Sequence, residues 1–173
     1  MKRIFLIGYM GAGKTTVGRI LAEQLGLSFI DLDCHIEGRY CKTVSQLFAE
    51  KGEDAFREIE RRMLHEVATF EDVLVSTGGG TPCFFDNMEF MNETGQTVYL
   101  EVSVDELANR LELCKTTRPV LKGRSGEDLK MFISESLSKR EPFYRKAAIL
   151  FKAEEMMTDQ DVLKIAKTLA EML

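Results

Sequence analysis

GYMGAGKTT, residues 8–16, directly follows the apolar run IFLI at residues 4–7. It satisfies the pattern GxxxxGK[ST] in the context that the pattern requires, with a predicted strand before it and a predicted helix after it. Glycines let backbone amides turn inward around phosphate oxygens, and the N-terminus of the helix directs its positive dipole end at them. The stretch therefore predicts a nucleoside triphosphate site in which Lys14 reaches the β- and γ-phosphates and the Thr15 hydroxyl binds Mg²⁺.

Strands and helices alternate along the rest of the chain. Apolar runs at 73–76, 97–102 and 147–151 predict further buried strands, and SFIDLD at 28–33 predicts a shorter strand that ends in carboxylates. Two segments, 43–46 and 103–106, fit the capping box at a helix start, and the apolar stripe in the last twelve or so residues predicts an amphipathic helix docked on the sheet. This order predicts a parallel α/β sheet with helices on both faces.

Composition limits the classes of protein to consider. The 173 residues are 45% hydrophobic and 29% charged, as expected for one domain over 1–173. No apolar run approaches the roughly 18 residues of a membrane span, so a soluble chain is expected. The net charge of -5 argues against nucleic-acid and anionic-membrane partners. The four cysteines form no zinc pattern, which predicts free thiols in a reducing cytoplasm.

The carboxylates of DLD are the candidates for the second metal ligand. The chain contains neither the NKxD nor the DxxG string of a GTPase, and the strand at 73–76 runs into glycines instead of a Walker B aspartate. Asp31 and Asp33 are two residues apart at a predicted strand end, so we expect both to project beside the phosphate loop. The alternative is that one of them only caps the helix that follows.

Four other segments are candidates for contact with a second substrate. FREIE, around Arg57, lies in a charged helix and by itself is typical of a solvated face. The triple glycine at 78–80 allows close approach of backbone to a ligand. The polar, basic segment 113–126 is either a surface loop or a mobile lid. Pro142 is expected to break the next helix and to leave Arg140 on its last turn, facing the cleft.

Taken in order, GYMGAGKT, DLD, FREIE, STGGG, TTRPVL and REPFYRKAA resemble the shikimate kinase family over nearly the whole chain. The resemblance implies a three-layer αβα P-loop kinase fold with a central five-stranded parallel sheet, a lid at about 113–126 and a substrate-binding helical region at about 33–62. It implies transfer of the γ-phosphoryl group of ATP, with Mg²⁺, to the 3-hydroxyl of shikimate in chorismate and aromatic amino acid biosynthesis. A cytoplasmic location is expected from the free thiols, and a monomer is expected because no association motif is present.

The same resemblance implies roles for particular residues. Lys14, Asp33 and Arg118 are the catalytic set, with Asp33 also holding the shikimate hydroxyls, and Thr15 and Asp31 are the metal ligands. Glu60 is expected to orient Arg57. The residues implied for ATP binding are Gly11, Ala12, Gly13, Lys14, Thr15, Thr16, Arg110 and Arg118. Those implied for shikimate binding are Asp33, Arg57, Gly78, Gly79, Gly80 and Arg140.

Two alternative functions stay open. A sugar-acid kinase of the gluconate type shares the phosphate loop and a substrate that carries a carboxylate. A nucleotide-binding regulator without catalysis is the alternative from another class, and the joint presence of Lys14, Asp33, Arg57, Arg118 and Arg140 disfavours it. The C-terminal loop expected beside adenine, FKAEEMMTDQD, matches no string, so no residue is assigned there.

Overall fold

The computed structural model describes residues 1–113 and 123–173. These residues form a sheet of five strands in the order β2-β3-β1-β4-β5, and every neighbouring pair is parallel. The predicted parallel sheet is therefore confirmed. The strands are β1 (Arg3–Ile7), β2 (Ser28–Asp31), β3 (Val73–Ser76), β4 (Gln96–Glu101) and β5 (Ile149–Lys152).

Burial differs between the central and edge strands. Residues 4–7 of β1 are fully buried because β3 and β4 flank this strand and helices cover its faces. In β5, at the edge, burial alternates and Leu150 is 45% exposed, so the parallel strand predicted within 147–151 is present but the prediction that it is buried is wrong. Its start is also later than predicted, because the Ala147 amide bonds to the carbonyl of Tyr144 and closes a turn.

Within residues 1–113 and 123–173, seven α-helices connect and cover the strands. Right-handed crossovers in this strand order place the β1-to-β2 helix on one face and the helices of the three later crossovers on the other. The last helix follows β5 and packs on the first helix, with its apolar stripe buried. The helices are α1 (Lys14–Leu25), α2 (Leu32–Tyr40), α3 (Val44–Val67), α4 (Asn87–Thr94), α5 (Val104–Leu113), α6 (Gly126–Tyr144) and α7 (Asp159–Met172).

The two predicted capping boxes differ in outcome. At α3 the box is complete, because Thr43 accepts from the Gln46 amide and Gln46 accepts from the Thr43 amide. At α5 only half of it forms: the Glu106 amide donates to the Ser103 hydroxyl. The Ser103 amide instead donates to Glu154, from the loop after β5, at 2.7 Å. A tertiary contact has replaced the local one.

Pro142 does not break α6, contrary to the prediction. The helix continues through it to Tyr144, with the Arg145 amide bonding to the Glu141 carbonyl at 2.9 Å. Proline so close to the end removes only the bond to the carbonyl of Ser138, a residue on an exposed face where water can bond that carbonyl. Within the described part of the chain, no helix is long and apolar enough to cross a bilayer.

Close contact between α1 and the sheet depends on Gly18. A Cβ at this position would lie 2.7 Å from Phe29 Cε2 and 3.1 Å from Leu6 Cδ1. At Gly38, on the exposed face of α2, a Cβ would meet nothing within 4 Å. Substitution at Gly18 therefore changes both core packing and helix propensity, whereas substitution at Gly38 changes helix propensity alone.

We predict opposite effects of alanine at these two positions. Gly18→Ala is expected to lower the free energy of unfolding by about 1–2 kcal/mol, since overpacking outweighs the gain in helix propensity. Gly38→Ala is expected to raise it by about 0.5–1 kcal/mol, since only propensity changes. Urea denaturation of both variants measures this, and a stabilised Gly18→Ala would contradict the close packing.

Candidate active site

The phosphate loop joins the end of β1 to the start of α1, as predicted. Gly11 and Gly13 have φ of 83° and 90°, in the left-handed region that favours glycine. Lys14 is buried, and its Nζ donates to the carbonyls of Gly8 at 2.8 Å and Tyr9 at 2.9 Å. The lysine ammonium thus lies within the curve of the loop, beside the backbone amides at the N-terminus of α1.

Asp31 lies beside the phosphate loop, as expected, and also caps the helix that follows. Its Oδ2 accepts from the Thr15 hydroxyl at 2.8 Å, and its Oδ1 accepts from the Cys34 amide at 3.2 Å and so caps α2. One carboxylate therefore joins the end of β2 to the first turn of α1. A hydroxyl and a carboxylate are hard oxygen ligands of the kind that bind Mg²⁺ together with water and phosphate oxygens. Among the described residues no group of three or more His, Cys, Asp or Glu could hold a metal.

Asp33 lies beside Asp31, but not for the reason expected. It is the second residue of α2, since the chain turns into helix directly after Asp31. Both aspartates still line the same cavity. Burial raises the pKa of Asp33 to about 6, with further increases from the negative charges of Glu60 and Asp31 and an opposing effect of Lys14. A carboxyl with this pKa is suited to accept a proton near neutral pH.

Arg57 and Glu60 belong to a buried network and not to a solvated face. The exposed fraction of Glu60 is 1%, and its carboxylate accepts from Arg57 Nη1 at 2.9 Å and from the Thr81 hydroxyl at 2.6 Å. The guanidinium carbon of Arg57 also lies 4.1 Å from the centroid of the Phe84 ring. The expected orientation of Arg57 by Glu60 is thus present in the structure.

Each residue of the triple glycine contacts a different candidate side chain. A Cβ on Gly78 would lie 3.2 Å from Asp33 Oδ1, and one on Gly79 would lie 3.2 Å from Arg140 Nη1. On Gly80 it would lie 2.7 Å from the guanidinium nitrogens of Arg57. Three glycines in a row therefore let the two arginines and the aspartate converge on one turn of backbone.

Arg110 fastens the phosphate loop to the C-terminal loop. Its Nη2 donates to the carbonyls of Ala153 and Glu154, at 2.9 and 2.7 Å, and its Nη1 donates to the Gly11 carbonyl at 3.3 Å. Glu106, one helical turn earlier, accepts from Nε at 2.8 Å. The guanidinium plane is therefore held at the edge of the site.

A cavity of about 490 Å³ joins the phosphate loop, the two aspartates, Gly78 and Gly79, whereas Arg57 and Arg140 lie against the glycines and are not among its lining residues. It extends from Asp33 and Gly79 across the phosphate loop to Arg110. The residues of its wall that the sequence did not assign include Met156, Met157, Thr158, Asp159 and Val162.

A capping pattern in the sequence could have located this C-terminal wall. Thr158 and Asp161 form a complete capping box at the start of α7. Such a box marks a helix start, so it places the preceding loop at the carboxyl edge of the sheet, where ligands of α/β proteins gather.

Two of the predicted features are partly or wholly absent from the residues that the structure describes. Arg118 and most of the predicted lid at 113–126 lie outside the described residues, which resume at 123. The helices on either side are α5, which ends at Leu113, and α6, which begins at Gly126. Within the described ranges, Cys34, Cys41 and Cys83 are free thiols, as predicted.

Comparison with known proteins gives consistent matches. The family described as shikimate kinase matches residues 10–170. A shikimate kinase of Parabacteroides distasonis is 73% identical over 173 residues, which are 100% of both chains. The crystal structure of a shikimate kinase from Bacteroides thetaiotaomicron has a TM-score of 0.96 at 53% identity, covering 99% of this chain and 97% of that one. A shikimate kinase from Acinetobacter baumannii in complex with shikimate has a TM-score of 0.86 at 34% identity, covering 99% and 92%.

One further structure bears on the alternative function. A gluconokinase from Sinorhizobium meliloti covers 98% of this chain with a TM-score of 0.56, and 94% of that chain is covered. The two sequences are only 18% identical, so the match shows a shared fold and nothing more about activity.

We predict that the carboxylate of Glu60 is required for stability. Glu60→Gln is expected to lower the free energy of unfolding by about 2–4 kcal/mol, because Arg57 would lose the partner of a buried ion pair. Glu58→Gln, on the exposed side of the same helix, is expected to change it by less than about 0.5 kcal/mol. Equal urea midpoints for the two variants would show that Glu60 is not part of a stabilising network.

Proposed function

The chain belongs to the shikimate kinase family, and we propose that it transfers the γ-phosphoryl group of ATP to the 3-hydroxyl of shikimate. One observation carries the proposal: a single cavity is lined by the phosphate loop at one end and by Asp33 and Gly79 at the other. Arg57 and Arg140 lie against the glycines at the second end. Two reactants bound in such a cavity would meet with the γ-phosphate directed at the acceptor, and phosphoryl transfer depends mainly on such positioning.

In the donor half we assign the binding of the phosphates to residues 11–16, including Lys14. The amides at the N-terminus of α1 and the Lys14 ammonium would bind phosphate oxygens. We assign Thr15 and Asp31 to Mg²⁺, which when bound would neutralise charge on the β- and γ-oxygens. Arg110 is assigned to adenine, and its bonds to the Gly11, Ala153 and Glu154 carbonyls support this, because they hold the guanidinium plane steady at that edge.

In the acceptor half we assign the substrate carboxylate to Arg57 and Arg140. Planar guanidinium groups bind carboxylates through paired hydrogen bonds. Asp33 would hold the substrate hydroxyls and accept the proton of the attacking one, and a pKa of about 6 leaves it ionised at neutral pH. Backbone of Gly78 to Gly80 would lie against the ring, since no side chain separates it from the substrate.

Arg118 and the lid complete the proposal. Arg118 would supply positive charge to the transferring phosphoryl group, and closure of 113–126 would exclude the water that could otherwise accept it. A cytoplasmic location, a monomeric state and a single domain with a substrate-binding region at 33–62 stay predictions from the sequence.

A substrate panel tests the proposed reaction. With ATP and Mg²⁺, ADP release measured in a coupled assay is expected to be fast with shikimate and near background with gluconate. Faster turnover of gluconate would favour the sugar-acid kinase. A different result would favour the regulator: the wild-type protein binds ATP but turns over neither acid, and Asp33→Asn leaves both ATP affinity and the interaction with a partner unchanged.

We predict that Arg57→Ala weakens shikimate binding selectively. Loss of a charged hydrogen-bonded clamp should raise KM for shikimate between about tenfold and 100-fold, with KM for ATP changed less than about threefold. Arg62→Ala, on the exposed face of the same helix, is the matched control and should leave both constants unchanged. Equal increases in both KM values would contradict the assignment.

We predict that Asp31→Asn raises the Mg²⁺ requirement. Asparagine still caps α2, so the fold should persist, but the charged ligand is lost. The Mg²⁺ concentration for half-maximal rate is expected to increase at least about tenfold. Asp33→Asn is the matched control, for which kcat should fall while the Mg²⁺ requirement stays within about twofold. If only Asp33→Asn raised the Mg²⁺ requirement, Asp33 and not Asp31 would be the metal ligand.

A further inference from the structure

The two arginines at the acceptor end differ in what holds them. Arg57 forms ion pairs with Glu60 at 2.9 Å and Glu53 at 3.5 Å. Arg140 forms no ion pair with any residue in 1–113 or 123–173. Its guanidinium carbon lies 5.4 Å from the centroid of the Tyr9 ring, and its Nη1 lies beside Gly79. Within the described residues, the contacts of the second arginine are therefore with neutral groups.

Tyr144 is the buried neighbour of Arg140. It is the last residue of α6, it is fully buried, and its ring packs on Tyr99 with centroids 5.1 Å apart. Its hydroxyl donates to the carbonyl of Gly79. Burial raises the pKa of Tyr144, and the charge and hydrogen bonding of Arg140 counteract part of that rise. The hydroxyl thus keeps its proton and bonds the glycine turn against which the Arg140 guanidinium lies.

A neutral partner has a different electrostatic effect from a carboxylate. A carboxylate beside Arg140 would orient the guanidinium but cancel its charge, and the pair would attract an anionic substrate weakly. A hydroxyl orients the same group and leaves its full charge available. Around Asp33 the carboxylates of Glu60 and Asp31 already contribute negative charge, so a cation without a carboxylate partner favours the binding of another anion.

We propose that Tyr144 is a positioning residue for the acceptor. Its hydroxyl fixes the position of the Gly79 carbonyl relative to the Arg140 guanidinium and so sets the affinity for the substrate carboxylate. This inference rests on the proposed function, because it requires that Arg140 binds that carboxylate. Tyr144 does not touch the substrate; it acts through Arg140 and Gly79.

The test is Tyr144→Phe, which removes the hydroxyl and retains the packed ring. Loss of one buried hydrogen bond is expected to raise KM for shikimate about five- to tenfold, with kcat and KM for ATP changed less than about twofold. Tyr99→Phe is the matched control, since it alters the same ring pair without a bond to Gly79, and it should change no constant more than about twofold. An unchanged KM for shikimate in Tyr144→Phe overturns the inference, as does an equal increase for ATP.

A double-mutant comparison separates this inference from the proposed function. If Tyr144 acts through Arg140, adding Tyr144→Phe to Arg140→Ala should raise KM for shikimate by less than about twofold more. Full additivity would show that Tyr144 acts by another route and overturns the inference. If Arg140→Ala leaves KM for shikimate unchanged, the assignment of Arg140 in the proposed function fails first. Urea denaturation of each variant shows whether a change in KM accompanies a loss of stability. A merely structural role would lower stability and would not affect KM for shikimate selectively.

Discussion

The hydrogen bond between the Thr15 hydroxyl and the Asp31 carboxylate holds the two halves of the site together. It joins the first turn of α1 to the end of β2, although β3 lies between β1 and β2 in the sheet. The same carboxylate caps α2 and so determines where Asp33 stands relative to the phosphate loop. The phosphate loop and Asp33 are therefore positioned relative to the same two oxygen atoms, which are of the kind that would bind a divalent cation.

The position of β3 imposes a second constraint. Because this strand ends between the phosphate loop and DLD, the backbone that follows it passes through the middle of the site. A side chain at Gly80 would overlap Arg57, and side chains at Gly78 and Gly79 would crowd Asp33 and Arg140; the triple glycine avoids all three close contacts. The two arginines differ in their partners: Arg57 is paired to Glu60, whereas Arg140 lies against Gly79, whose carbonyl accepts from the Tyr144 hydroxyl.

Local rules of sequence worked where local contacts decide the outcome. The phosphate loop, the capping box at Thr43 and the central strands lie where the patterns placed them, because each depends on residues a few positions apart. The same rules were wrong where distant residues compete. Glu154 replaces Glu106 at the start of α5, and alternate residues of β5 are exposed because it forms an edge. Arg57 and Glu60, read alone as a surface pair, are buried under a loop twenty residues away.

The sequence by itself determined the order of strands and helices, the nucleotide loop and, through the resemblance of its combined motifs, the family. These features follow from periodicity, glycine conformation and spacing, which are local properties of the chain. Only the tertiary structure decided which side chains share the cavity, that Asp33 is helical with a raised pKa, and that the loop containing Met156 closes the nucleotide end. The physical reason is that burial, charge pairing and close backbone approach depend on segments that are remote in sequence and meet only at the carboxyl edge of the sheet.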